Sequence, residues 1–486
     1  MASGSRVSQI YNLGRSQATL DFVDVDVSTD TKLFVSPRAF TLLHSEWADS
    51  CVSSIQNFFG TVLALIKEDR GSEAERLLLE LREPNETHLG NSRGKSRGRA
   101  LGEGSAHDVW EALSQSQAAK SGLISDLEDT VLLIMGIGVD IVSDITTNIV
   151  RSQLITYTQE QCRQLGIPLE QGIESGPIWN SVAKRWETKS VELPLTSKGK
   201  LLLVPKAIVR RTSAYDLSEY YRHYMLEFLI EEEKRAGSSL VHIVKSGKNK
   251  GKERVYKTDL EEKFGKEKQD VIDLTLLHPQ VFENYKRDKG DDEFLPLDHE
   301  DISSVEMETP PDWDNLLDSV ISIKTGKEEA TDYERAVEGL LTALFYNDLV
   351  HPVFQSPIHQ NRKRIDIRYT NAALRGFFNW LSAHYSSPYI FVECKNYGKD
   401  VANPELDQLI GRFSPSRGRV GMLVCRKFKN KERFLQRCRD SSKDGHGYVI
   451  ALDDEDLSKL VEERKSDAEG KRRWHPLQKR MSDLVS

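Results

Sequence analysis

The chain is 486 residues long, enough for about two to four domains, which excludes a peptide, a disulfide-stapled miniprotein or a single small module. At 38% hydrophobic, 29% charged and 8% aromatic it sits in the globular range, outside the disordered, collagen-like and low-complexity classes. The formal net charge of −8 argues against a nucleic-acid binder only as an average, because the basic residues are concentrated near the C-terminus.

Cys51, Cys162, Cys394, Cys425 and Cys438 form no CxxC pair, so neither a disulfide framework nor a zinc ribbon is expected and a reducing compartment fits. No run approaches the roughly 20 apolar residues of a membrane span; even Val131 to Val142 is cut by Gly136, Gly138 and Asp140. With no apolar signal core at the N-terminus, the expectation is a soluble cytoplasmic protein without membrane contact.

In chain order, alternation in residues 19–27 and 32–35 predicts short strands, and helical spacing predicts helices over 47–66 and 73–81. A Gly/Ser-rich loop follows with Arg93, Lys95, Arg97 and Arg99 at alternate positions. It misses the GxxxxGK[ST] spacing by one residue and has no strand before it, so it reads as a basic loop able to touch a phosphate backbone or as plain surface. Residues 125–162 are dense in carboxylates (Asp126, Glu128, Asp129, Asp140, Asp144); helix caps and turns explain them more simply than a second catalytic centre does. Residues 215–234 read as a helix whose Tyr220, Tyr221, Tyr224 and Phe228 suit core packing, and residues 245–257 as a basic turn between strand-like segments.

Residues 287–329 are acidic and carry Pro296, Pro310 and Pro311, which predicts a solvated linker. From His351 to Lys443 there are 18 Lys/Arg against 7 Asp/Glu, and such a basic segment predicts an anionic partner through counterion release. Apolar residues at 337, 340, 341, 344 and 345 predict an amphipathic helix with Glu334 and Glu338 near its start. Strands follow around 353–358 and 364–369, a helix over 372–385, and then a buried-type strand, Tyr-Ile-Phe-Val, ending in Glu393-Cys394-Lys395. Period two puts Glu393 and Lys395 on one face, where burial demands compensation. An oxygen-ligated divalent cation on Asp366, Glu393 and the Cys394 carbonyl would supply it; an ordinary ion pair at a strand end is the plain alternative. Further strands are predicted over 419–425 and 447–452, with helices over 431–439 and 455–464.

The order Glu334, Asp366, Glu393-Cys394-Lys395, Gln408 resembles the PD-(D/E)xK nuclease superfamily, in the restriction-endonuclease-like, Mrr-type wording Arg364-Ile365-Asp366, Val392-Glu-Cys-Lys-Asn-Tyr397 and Asp407-Gln-Leu-Ile-Gly-Arg412. The resemblance covers residues 330–465. It implies a C-terminal restriction-endonuclease-like mixed sheet flanked by helices; with the strands and helices read upstream, the expected fold is α/β, that sheet being preceded by a larger α+β N-terminal region. It implies Mg2+, with Mn2+ as a substitute, held by Asp366 and Glu393, Lys395 as catalytic lysine, Glu334 as auxiliary acid and Gln408 as orienting glutamine. Glu338, one turn on, is the alternative helix acid. Arg364 and Arg412 would face the phosphate, with Arg93, Lys95 and Arg97 as further nucleic-acid contacts. The expected activity is DNA endonuclease in a restriction or anti-phage effector, restrained by a regulatory partner or by homo-oligomerisation; the alternatives are an RNase toxin and a non-catalytic nucleic-acid-binding module.

The N-terminal region resembles an uncharacterised bacterial family, which implies no role. The expected division is 6–175 and 176–286 as α+β segments, separate or one domain, 287–329 as linker, 330–465 as nuclease domain and 466–486 as tail.

Overall fold

The computed structural model describes residues 4–91, 103–246, 248–289, 294–358, 363–398, 401–467 and 474–486. Buried apolar side chains fall into two large clusters: one from Val7 to Phe294 that also takes in Val350 and Ala372, the other from Val320 to Leu484. Residues 176–286 contribute to the first cluster through Trp179, Tyr220, Leu260 and Tyr285.

The N-terminal region is mostly helical. Its longest helix, α1 (Glu46–Lys67), starts where the Ser45 side chain accepts the Ala48 N–H at 3.2 Å. It buries Cys51, Ile55, Phe58, Val62 and Ile66 along one face. Helices α2 (Val139–Ile149) and α3 (Arg151–Leu165) follow, and α3 ends at Gly166 in the left-handed conformation. Sheet here is limited to short antiparallel pairs, such as Phe34–Val35 with Val209–Arg210.

Residues 19–27 do not form the expected strand. They pair only through isolated bridges, and Asp21 and Asp24 are buried rather than turned to solvent. Both have local work: Asp24 accepts the Ser8 N–H at 2.8 Å, and Asp21 accepts the Tyr157 hydroxyl at 2.7 Å. The tyrosine stripe packs as expected. Tyr220 and Tyr221 are buried in a π-helical turn (Tyr220–Met225), with the Tyr220 ring against Phe282 and Tyr285.

The acidic segment 287–329 is more structured than its composition suggests. Its described part carries helices His299–Glu306 and Trp313–Ile321, capped by Asp298, which accepts from Asp301 N at 2.8 Å, and Asp312, which accepts from Asn315 N at 3.0 Å. Aspartates that resemble solvated linker charges are thus helix caps, and Val320 is fully buried in the second core. The 466–486 stretch likewise holds a core helix, His475–Val485, burying Leu477, Met481 and Leu484.

The C-terminal unit is a five-stranded mixed sheet flanked by helices. Its elements are α4 (Ala330–Phe345), β1 (Leu349–Ile358), β2 (Lys363–Asn371), α5 (Gly376–Tyr385), β3 (Tyr389–Lys395), α6 (Asn403–Ile410), β4 (Val420–Cys425), α7 (Lys431–Lys443), β5 (Tyr448–Leu452) and α8 (Asp454–Ser466). Strand order is β1-β2-β3-β4-β5; the first two pairings are antiparallel and the last two parallel. β3 and β4 are buried nearly throughout, as parallel strands covered on both faces must be.

β1 lies at the sheet edge, with a register shift between Val350 and Val353. Two of its N–H groups donate to side chains of the N-terminal region: His351 N to Asp21 Oδ1 at 2.8 Å and Phe354 N to Gln164 Oε1 at 3.0 Å. The same junction contains an Arg15–Glu338 ion pair and Lys206, whose buried ammonium donates to Gln17 O at 3.1 Å and lies 4.2 Å from the centre of the Tyr346 ring. All five cysteines are free and buried, and among the described residues no helix is long and apolar enough to cross a membrane.

Candidate active site in the C-terminal sheet

Period two along β3 makes Glu393 and Lys395 neighbours on one face, and Lys395 Nζ donates to Glu393 Oε1 at 2.7 Å. Ile367 pairs with Val392 across the antiparallel β2–β3 ladder, so the next pair inward to the site is Asp366 with Glu393; directly opposed residues share a face. Asp366 is anchored there by the Cys394 N–H, which donates to its Oδ2 at 2.8 Å. From the helix side, α6 brings in Gln408, whose Nε2 also donates to Glu393 Oε1.

Glu393 is fully buried, and its second oxygen, Oε2, makes no hydrogen bond. An unsatisfied buried acceptor costs roughly 1–3 kcal/mol, more when charged, so this oxygen marks a place where a cation or a donor belongs. Asp366 feels the same shortage. Burial, and then the Glu393 carboxylate, push it up to about 7, against the Cys394 N–H and the more distant Lys395. Burial works against the Lys395 ammonium, but the Glu393 carboxylate outweighs it, so the lysine is held above its ordinary value and stays charged.

Glu334, half-buried on α4, completes the acidic side. Burial raises its carboxyl, a hydrogen bond from Gln355 opposes this, and Lys395 and Glu393 both act on it. Glu338 is turned elsewhere: it pairs with Arg15 and accepts the Thr342 hydroxyl at 3.0 Å. One turn of helix therefore separates a carboxylate at the sheet site from one at the junction.

Gln355 escaped the sequence reading. Phe354 pairs with Ile367 and Ser356 with Ile365, which sets Gln355 directly across from Asp366. It has a left-handed backbone (φ 48°), and its Oε1 accepts from Arg364 Nη1 at 3.3 Å. Gln355, Asp366 and Glu393 thus form one row across three strands, with exposed Arg364 at its margin.

Arg412 does not join this row. α6 ends at Ile410, and beyond Gly411 the helix tightens: the Arg412 N–H donates to Leu409 O at 2.9 Å rather than to Gln408 O. Arg412 is buried, with Nε unpartnered, and among the described residues no hydrogen bond or ion pair links it to Glu393 or Gln408. Arg93, Lys95 and Arg97 lie outside the described residues.

Among the described residues no group of three or more His, Cys, Asp or Glu is arranged to hold a metal ion. Two carboxylates with one orphaned buried oxygen do fit a hard cation that takes few protein ligands and retains water, as Mg2+ does. Orphaned buried oxygens also occur in residues 125–162, on Glu128, Asp129 and Asp144, but no strand ladder opposes two of these carboxylates as it does Asp366 and Glu393. Asp144 is buried on α2 and pushed up to about 9 by burial and by Asp140, Glu83 and Asp30, conditions that keep it protonated.

No curated protein and no solved structure matches the chain. Residues 12–216 match the model of a family described as a domain of unknown function (DUF8370), a stretch that lies wholly in the N-terminal region and ends before the sheet that carries the site.

Proposed function

We propose that the chain is a Mg2+-dependent phosphodiesterase acting on DNA as an endonuclease, with its chemistry at Asp366, Glu393 and Lys395. The observation that carries this reading is the unpaired Oε2 of the fully buried Glu393, facing Asp366 across the ladder and beside a charged lysine. Mg2+ bound by Asp366 and Glu393, with the Cys394 carbonyl as a further ligand, would supply Lewis-acid polarisation of water and phosphate.

The protein's own groups do the rest. Lys395 is kept protonated by Glu393, so it serves as a fixed positive charge for the phosphorane that develops during in-line displacement rather than as a base. Gln408 and Lys395 both hold Glu393 Oε1 and so aim the remaining oxygen of that carboxylate. Glu334 and Gln355 border the acidic side, and Arg364 offers a guanidinium to the substrate backbone. In this reading the N-terminal region senses or restrains, as a restriction or anti-phage effector requires; its grip on β1 and on Glu338, one turn from Glu334, provides a physical link.

Plasmid cleavage with Mg2+ titrated into wild type and Lys395→Ala tests the proposal. The wild type is expected to cut and the variant to lose about 10²–10³-fold in rate while still binding DNA. Wild-type binding without cutting at any Mg2+ or Mn2+ concentration would leave a nucleic-acid-binding module, and preferential cleavage of RNA would make it a ribonuclease.

A further inference from the structure

The basic segment after residue 241 forms a β-hairpin. His242–Ile243 pairs antiparallel with Glu253–Arg254, Val244 N donates to Lys252 O at 3.0 Å, and Gly251 N donates to Val244 O at 2.8 Å. The turn of residues 248–251 and both arms are solvent-exposed, while the base is pinned by Lys257, paired with Glu227 at 2.7 Å. Between residues 245 and 257 there are six cations, Lys245, Lys248, Lys250, Lys252, Arg254 and Lys257, against the single acid Glu253.

What marks these lysines is that they stand together on one exposed hairpin without carboxylate partners among the described residues. Lys234, Lys263, Lys459 and Lys465 each have a carboxylate within 2.8 Å. Among the described residues, Lys245, Lys248, Lys250 and Lys252 have none, although this acidic chain has carboxylates in excess. Clustered like charges without internal compensation repel one another and reward an external polyanion.

We propose that this hairpin is a DNA-binding element that enters the major groove and contacts the phosphates on either side. A two-stranded ribbon fits the roughly 12 Å major groove of B-DNA, whereas the major groove of duplex RNA is too narrow to admit one. The turn, Lys248-Asn249-Lys250-Gly251, has no large apolar side chain to insert into a bilayer, which disfavours a lipid surface. The choice of DNA as polymer rests on the nuclease reading; binding itself needs neither metal nor turnover.

The test is fluorescence anisotropy of the full chain on a 24-base-pair mixed-sequence DNA duplex, with divalent cations chelated and salt varied. The triple variant K248A/K250A/K252A is expected to bind roughly tenfold or more weakly at low salt, and the slope of log affinity against log salt to shrink by about 3. K248R/K250R/K252R is expected to bind as wild type, and thermal melts of both variants to match it, because the side chains are exposed. With divalent cations chelated the assay reads binding without turnover, so a failed nuclease reading leaves this result standing. Unchanged affinity and slope in the alanine variant, absence of wild-type binding, or tighter wild-type binding to an RNA duplex or to phosphatidylserine vesicles would each overturn the proposal.

Discussion

The junction between the two halves of the molecule and the sheet site lie one helical turn apart on α4, yet they treat buried charge in opposite ways. At the junction, Glu338 is paired with Arg15, and Lys206, wholly enclosed, donates to the Gln17 carbonyl and lies against the Tyr346 ring. Burial pulls Lys206 down to about 8, with Asp21 and Glu306 opposing. At the sheet, Lys395 is held charged by Glu393, while Asp366 and one Glu393 oxygen remain undersupplied with positive charge. A buried acid short of charge is neutralised where it stands alone, as at Asp144; at the sheet, where two carboxylates oppose one another beside a charged lysine, the same shortage leaves room for a cation.

The largest test of that contrast is Asp366→Asn. It is expected to reduce cleavage on the order of 10³-fold and, with divalent cations chelated, to raise stability at pH 8 by about 2 kcal/mol. The sign follows from linkage. The native carboxyl titrates near 7 and the unfolded one near its ordinary value of about 4, so between them the native state holds the extra proton. Wild-type stability attributable to Asp366 therefore falls as pH rises through that window, and urea titrations at pH 5 and pH 8 should show a smaller fall in the variant than in wild type, the remainder coming from Glu306 and Asp144, which burial also raises.

A smaller effect separates the two acids of α4. Glu334→Gln should slow cleavage roughly tenfold to a hundredfold with little change in melting, by weakening the acidic side of the row. Glu338→Gln should leave the cleavage rate alone and cost about 1–2 kcal/mol in stability, since it removes one partner of a largely buried pair. A rate loss in Glu338→Gln and none in Glu334→Gln would reverse the assignment of the two residues.

The smallest expected effect lies in the pH dependence of Lys206. Its native value near 8 is below the unfolded one of about 10.4, so in that interval the unfolded chain binds more protons and stability rises with pH, by up to about 1 kcal/mol per unit. Denaturation between pH 8 and 10 should show a less positive slope in Lys206→Met than in wild type, with the contributions of Lys268 and Asp144 common to both.

Much of the sheet was legible because its signals are local. The Tyr-Ile-Phe-Val run marks β3 as buried, and period two alone sets Glu393 beside Lys395. The mixed α/β architecture follows from the alternation of such strands with helical spacing. What stayed hidden depends on distant partners. Nothing near Glu338 in sequence reveals that its counter-ion is Arg15, 323 residues away, and Gln355 joins the row only through the irregular register of β1. The acidic segment misled for a related reason: an aspartate that caps a helix and one that solvates a linker look alike until the neighbouring turns are placed, and the core contact is made by Val320 with Trp313, Leu316 and Leu317 beside it.

The side chains of Asp21 and Gln164 occupy N–H donors of the outermost strand that another ribbon would otherwise seek. An unguarded sheet margin is a template for accretion, and here the N-terminal half acts as the guard. The two halves are accordingly tied by a solubility requirement as well as by any regulatory one: severing them would bare a strand that can recruit copies of itself, which disfavours evolutionary routes that detach the sheet from its companion.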